Sequence, residues 1–325
     1  MFQTRLPSRL IAFLGLLRRA GRVILCLAAI ACLPAQAAQS VTLLLSEPAG
    51  IYQKAAQALQ QELMQDDGLR GIRWLHVDER PNLAGGPDEL IVTLGVRALK
   101  YALDDQASTP VFALLVPSQT FETLISTQPQ TRRPRTISAL FLDQPYARQM
   151  QLIRLALPQT SRVGVLVGAA MVSQSDDLKR AGREIGLDVR VYRINSGEQL
   201  FAGLTALARE VDVLLLVPDP QVVSGETLRT LLLQTYRLRL PIVAYAASLV
   251  QAGATLGLYA TPAQLGSEAG KLIREMLAEK GAGKAMTRFP QLYTVEINRN
   301  VARTLELQLP SVESLNSRLD AERKR

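Results

Sequence analysis

The sequence predicts an α/β fold of two Rossmann-like lobes, each a parallel sheet covered by helices. Short apolar runs alternate with amphipathic stretches along almost the whole chain, which is the sequence form of repeated βαβ units. About 288 residues follow the N-terminal segment, more than one hydrophobic core ordinarily organises and enough for two lobes of about 120 to 150 residues. The two halves share one βαβ plan without any short-period repeat.

In the first half, Val41 to Leu45 reads as a buried strand. Ile51 to Met64 reads as a helix because Ile51, Ala55, Ala58, Leu59 and Leu63 fall on one face. Strands follow at Ile72 to Val77, Leu90 to Leu94 and Val111 to Val116, with a helix from Val96 to about Asp105. After Pro117 the periodicity weakens, and a strand Thr136 to Leu142 ends at Asp143-Gln144-Pro145, read as the first crossing between lobes. Pro145 suits the first turn of a helix, where its missing N–H has no intrahelical partner; that helix ends near Leu157-Pro158.

The second half repeats the plan. Strands are expected at Arg162 to Val167, Leu187 to Ile194, Val211 to Val217, Pro241 to Ala244 and Thr255 to Tyr259. Helices are expected at Ser175 to Ile185, Glu198 to Arg209, Gly225 to Leu238 and Pro262 to Lys280, with a short one ending at Val250. A strand Leu292 to Ile297 and a helix Arg299 to Leu307 close the pattern. The resulting division assigns 38–142 with 258–290 to one lobe and 143–257 with 291–315 to the other, leaving 316–325 as a charged tail.

The N-terminal segment has its own signature. Arg5, Arg9, Arg18, Arg19 and Arg22 precede the apolar run Val23 to Leu33, which closes on Ala35-Gln36-Ala37. A basic flank, a short apolar core and small residues at A-x-A describe a cleavable secretory signal over 1–37, cut after Ala37 or Ala38, so the expected compartment is the periplasm. Lipidation at Cys32 is the alternative. The formal charge of +8 is then largely the signal's, because removing five arginines from 37 basic residues leaves 32 against 29 acidic. The dense basic clusters that remain, Arg132-Arg133-Pro134-Arg135 and Arg323-Lys324-Arg325, read as solvated loop and tail charge, so no nucleic-acid partner is expected. Cys26 and Cys32 both lie in the signal, leaving neither a disulfide nor a thiolate ligand.

From residue 141 to 315 the chain resembles the ABC-type substrate-binding protein family typified by bacterial tryptophan- and tyrosine-binding lipoproteins, a branch of the type I periplasmic-binding fold. The resemblance rests on Leu142-Asp143-Gln144-Pro145 with Gln149 and Leu152, on Leu157-Pro158, and on Arg162-Val163-Gly164-Val165-Leu166. It continues in Arg239-Leu240-Pro241-Ile242-Val243-Ala244-Tyr245, Leu258-Tyr259, and Ile297-Asn298-Arg299-Asn300-Val301-Ala302-Arg303-Thr304-Leu305 through Leu309-Pro310. Thr93-Leu94-Gly95 is similar to the family's T-x-G loop. The resemblance implies two lobes joined by three crossover strands, a small-molecule ligand such as an amino acid or another small polar or aromatic solute, and an inner-membrane permease as partner. The chain departs from the family at Pro117-Ser118-Gln119-Thr120 and Thr131 to Arg135, a loop that commonly lines the cleft. That departure leaves open the ligand class, and whether the partner is a permease or a membrane receptor or sensor kinase.

Ligands of open α/β sheets bind outside the carboxyl ends of the strands. The candidates are therefore Ser46, Glu47, Thr93, Gly95, Val96 and Ser118 in the first lobe, and Ser173, Ser175, Asp219, Tyr245 and Tyr259 in the second. Gly95 allows a positive-φ turn ahead of a helix whose N–H groups suit a carboxylate. Asp219, between Pro218 and Pro220, suits a ligand ammonium, and the two tyrosines suit a planar ligand. Against these stand plainer readings: Thr93 and Gly95 as cap and turn, Asp219 as a loop carboxylate, the tyrosines as packing, Ser173 or Ser175 as a helix cap. Enzyme chemistry has little to draw on. The sole histidine, His76, sits inside a strand, no G-x-S-x-G stands near it, and Gly281-Ala282-Gly283-Lys284 lacks P-loop spacing. No catalytic residue, cofactor or metal ligand is expected.

Overall fold

The structure, a computed structural model, describes residues 39–65, 69–83, 89–105, 108–128, 135–278 and 285–323, all within one compact unit spanning Gln39–Arg325. The expected signal segment lies outside the described residues.

The first sheet holds β1 (Gln39–Leu45), β2 (Leu69–His76), β3 (Glu89–Leu94), β4 (Val111–Val116), β5 (Ile137–Phe141) and β11 (Thr287–Arg288), in the order β11-β5-β4-β3-β1-β2 and parallel throughout. The second holds β6 (Arg162–Val167), β7 (Asp188–Arg193), β8 (Val213–Leu215), β9 (Ile242–Ala244), β10 (Leu256–Tyr259) and β12 (Thr294–Ile297), in the order β12-β10-β9-β8-β6-β7, with β12 antiparallel to β10. Strands such as Val111–Val116 are buried at every position. Helices on both faces demand that, and it is why these segments read as continuous apolar runs.

Four apolar clusters result, one on each face of each sheet. In the first lobe, Val41, Leu43 and Leu45 face α1 (Gly50–Leu63) and α9 (Pro262–Ala278), while Leu44 and Ile91 face α2 (Val96–Asp104) and α3 (Ser118–Ser126). In the second, α4 (Tyr146–Ala156), α5 (Ser175–Arg183) and the late α11 (Val312–Arg323) cover one face. The opposite face lies under α6 (Gly197–Leu207), α7 (Leu228–Arg237) and α8 (Ala247–Ala252). The short α10 (Arg299–Thr304), capped by the Asn298 side chain, links β12 to α11.

Among the described residues the chain passes between the lobes three times: at 142–145, at 260–261 and at 289–293. These passages are tied to one another. Gln144 Nε2 donates to Leu292 O at 3.2 Å and Arg148 donates to Pro290 O at 2.8 Å, joining the first passage to the third. Gln264 Nε2 reaches Tyr293 O at 3.3 Å while its Oε1 accepts from Thr261 N at 2.8 Å, joining the second to the third.

Three expectations need correction. The segment after Pro117 is the helix α3, whose only buried side chain is Phe121, so its apolar period is too sparse to read. Residues 316–323 are helix rather than tail: Leu315 and Leu319, four apart, are buried against the second lobe while Arg318 between them faces water. Leu258 and Tyr259 pair with β12 in the second sheet, so the return to the first lobe comes after Tyr259 rather than at 258.

The close approach of α9 to α1 fixes how the returning chain rejoins the first lobe. A Cβ at Gly266 would stand 2.1 Å from Ala55 O, and one at Gly270 would stand 2.5 Å from Glu62 Cβ, so only glycine allows this separation. Ser267 Oγ then donates to Glu62 Oε1 at 2.6 Å. Gly266→Ala should destabilise the fold by about 1–3 kcal/mol through overpacking against backbone, whereas Gly225→Ala, where a Cβ meets nothing within 4 Å, should change little. Urea midpoints of the two variants check this.

Candidate functional site

Where strands end and helices begin, backbone N–H groups lack partners, and side-chain oxygens fill that need along the facing edges of both sheets. Ser46 is 1% exposed and its Oγ accepts from Ala98 N at 3.0 Å, so it caps α2 from a neighbouring strand. The carboxylate of Asp143 accepts from Ser118 N at 2.7 Å and Ser118 Oγ at 2.6 Å, holding the start of α3. Burial pushes the Asp143 carboxyl up, and the bonds from Ser118 oppose that rise. Asp219, 2% exposed, accepts from Gly168 N at 2.6 Å and Gln221 N at 2.9 Å. It thus joins two loops of its own lobe as an internal brace.

The other sequence candidates divide between interior and surface. Thr93 is fully buried in β3, a core position rather than a cleft surface, and its Oγ1 has no partner. Gly95 takes φ 97°, and a Cβ there would stand 2.5 Å from Tyr52 Cε1 and 2.6 Å from Ser46 Oγ, so Tyr52 already covers the turn. Val96 is 37% exposed at the start of α2, and Glu47 is exposed beside Tyr52, whose phenol is raised by burial and then by Glu47. Arg97 donates to Ser46 O at 2.9 Å and to Asp78 Oδ1 at 2.6 Å. Ser173 is exposed at the end of a 3-10 turn (Ala169–Gln174); Ser175 is half-buried as the first residue of α5, whose cap position is Gln174, so neither serine is that helix's cap. Tyr245 is half-buried, its phenol pushed up to about 12 by burial and then by Asp219. Tyr259 is 8% exposed, donates to Glu296 Oε2, and its phenol is likewise raised by burial.

Among the described residues, a concave feature between the lobes lies beside the first and third passages. It is an open recess of about 380 Å³ whose walls come from Ser118 and Glu122 of the first lobe, Gln144 and Pro145 of the passage, Tyr146, Gln174, Asp177, Arg180 and Glu184 of the second lobe, and Phe289. Its aromatic wall is built from the inside: Phe289 packs edge-on to Phe141 at 5.1 Å between centroids, and Phe141 edge-on to Phe121 at 5.6 Å. Across its rim Gln174 Nε2 donates to Gln119 Oε1, a hydrogen bond from one lobe to the other. Arg180 pairs with Asp177 one turn earlier on α5. The Tyr146 phenol is held well above its usual range by burial, then by Asp143, Asp177 and Glu122.

Of the expected site residues, the recess takes in Ser118. Tyr146, Gln174, Asp177, Glu122 and Phe289 carried no signal of their own: each sits in an ordinary amphipathic segment, and only the docking of two lobes brings them together. One trace was available in Asp143-Gln144-Pro145, since a carboxylate at a strand end next to a proline is placed to cap a neighbouring helix. The bulge at β4 left no such trace. There the pairing with β5 shifts between Leu114 and Val116, and Leu115 adopts φ 59°, an unfavourable region for a branched side chain.

Replacing Asp143 by alanine removes two hydrogen bonds to the start of α3 and should lower stability by about 1–3 kcal/mol. Asp143→Asn, which can still accept from Ser118 N and offers an N–H to Ser118 Oγ, should retain most of that stability. Equilibrium unfolding of the pair separates the two outcomes.

No curated protein matches this chain in sequence. Solved structures share its fold at low identity. The ABC domain from Streptococcus pneumonia, in complex with L-Trp, superposes with a TM-score of 0.59 at 19% identity over 85% of this chain and 98% of that one. A conserved domain protein from Vibrio cholerae gives 0.58 at 17% over 86% and 98%. The ligand-free, open form of a substrate-binding protein with adhesive properties from Clostridium difficile gives 0.63 at 15% over 84% and 96%. These place the two lobes in the type I periplasmic-binding architecture. The family described as ABC transporter substrate binding protein matches residues 102–318, from the end of α2 into α11. The chain belongs to the ABC transporter substrate-binding protein family.

Proposed function

We propose that this protein captures a small molecule between its lobes in the periplasm and delivers it to an ABC-type permease in the inner membrane, acting by binding rather than catalysis. The observation that carries this reading is the recess beside the passages. Its walls come from both lobes, so an occupant touches both at once, and family membership supplies the transport context. Three short, mutually bonded passages favour movement of each lobe as a body about the hinge.

Only differential affinity moves such an equilibrium. A ligand that touches both lobes binds the closed form better than the open one and shifts the population towards closure. The closed form then differs in surface from the empty one, which gives a permease a means of telling loaded from unloaded protein. The described residues contain no helix long and apolar enough to cross a membrane, so on this reading contact with the permease is made through a surface of the folded lobes.

A thermal-shift screen of residues 39–325 against amino acids, aromatic metabolites, nucleosides, sugars and small ions tests the proposal. A ligand at about 100 times its dissociation constant adds about 2.7 kcal/mol, several degrees for a chain of this size. One chemical class raising the midpoint is the expected result. A flat response across all classes contradicts capture of a small solute.

A further inference from the structure

We infer that the solute held in the hinge-side recess is an organic cation: an ammonium or guanidinium group carried on an apolar body. The inference rests on the binding-protein reading and adds the ligand's charge class. Acidic residues line the recess from opposite lobes, Glu122 from α3, Asp177 from α5 and Glu184 at the C-terminal cap of α5. The cation among its walls is Arg180, and it is already paired with Asp177. The nearby guanidinium of Arg148 is directed elsewhere, to Gln144 Oε1 and Pro290 O, with its carbon 5.2 Å from the Tyr293 ring centroid.

An empty recess therefore sets like charges of the two lobes against each other as they approach. A bound cation turns that repulsion into attraction to both sides, so it favours closure in a way a neutral or anionic solute cannot. The rest of the recess suits the same chemistry. Phe289 and Tyr146 line it with aromatic groups, and ring faces attract cations while their apolar area accepts an alkyl or aryl body. About 380 Å³ admits a molecule of amino-acid size.

The test is calorimetric titration of residues 39–325 with agmatine and L-arginine as cationic probes, L-tryptophan as a neutral zwitterion and L-glutamate as an anion. Each is repeated on Glu122→Gln and Asp177→Asn, whose ligand-free unfolding midpoints are measured alongside. The expected result is binding of a cationic probe that weakens at least tenfold in each variant and weakens further with added salt, with the ligand-free midpoints little changed. Saturation by tryptophan or glutamate with no response to either cation would overturn the cation class while leaving solute capture intact. Cation binding undiminished in both variants would overturn the assignment to this recess. Failure of every probe, together with a flat thermal-shift screen, removes the capture reading itself and the inference with it.

Discussion

Both lobes depend on one requirement: the backbone N–H groups exposed where parallel strands give way to helices must find acceptors, although the edges that carry them face each other across a cleft. Ser46, Asp143 and Asp219 meet it, each reaching across from its own segment to a loop or helix start on another strand. Such a brace fixes two strand ends relative to each other. The facing edges are then rigid surfaces rather than loose loops, and a site formed between them inherits that rigidity. It also means that the oxygen atoms most prominent at the strand ends are largely occupied by the protein itself, so recognition falls to side chains further along the helices.

The hinge follows the same economy of contacts. Gln144, Arg148 and Gln264 join the three passages, and Glu268 accepts from Gln291 N at 2.8 Å, so the passages form one hydrogen-bonded group instead of three independent tethers. On the first-lobe side that group is anchored by α9, which sits against α1 through Gly266 and Gly270. The recess opens beside this group, and a change in the angle between the lobes alters its width directly.

Much of the fold was legible in the sequence because a parallel sheet covered on both faces demands apolar runs, and helices over it demand a 3.6-residue period. The crossing at Asp143-Gln144-Pro145 could be read from a strand end followed by a helix-opening proline. The helix α3 and the terminal α11 escaped for opposite reasons: α3 buries only Phe121, and α11 buries only Leu315 and Leu319 among many charges. Strand-end reasoning named Ser46, Ser118 and Asp219 but could not tell an oxygen bonded to its own backbone from one open to a ligand, since that depends on which N–H lies opposite. Tyr146 and Asp177, 31 residues apart in sequence, meet because α4 and α5 pack side by side on one face of the second lobe, and no local pattern records that.

The central claim is that two rigid lobes close around a solute. The chain beyond residue 38 contains no cysteine, so Lys100→Cys on α2 and Arg229→Cys on α7, both exposed positions on different lobes, accept a pair of spin labels without background. Pulsed dipolar spectroscopy should report a shorter and narrower distance distribution when a solute that raises the unfolding midpoint is added. An unchanged distribution with that solute bound would contradict the account.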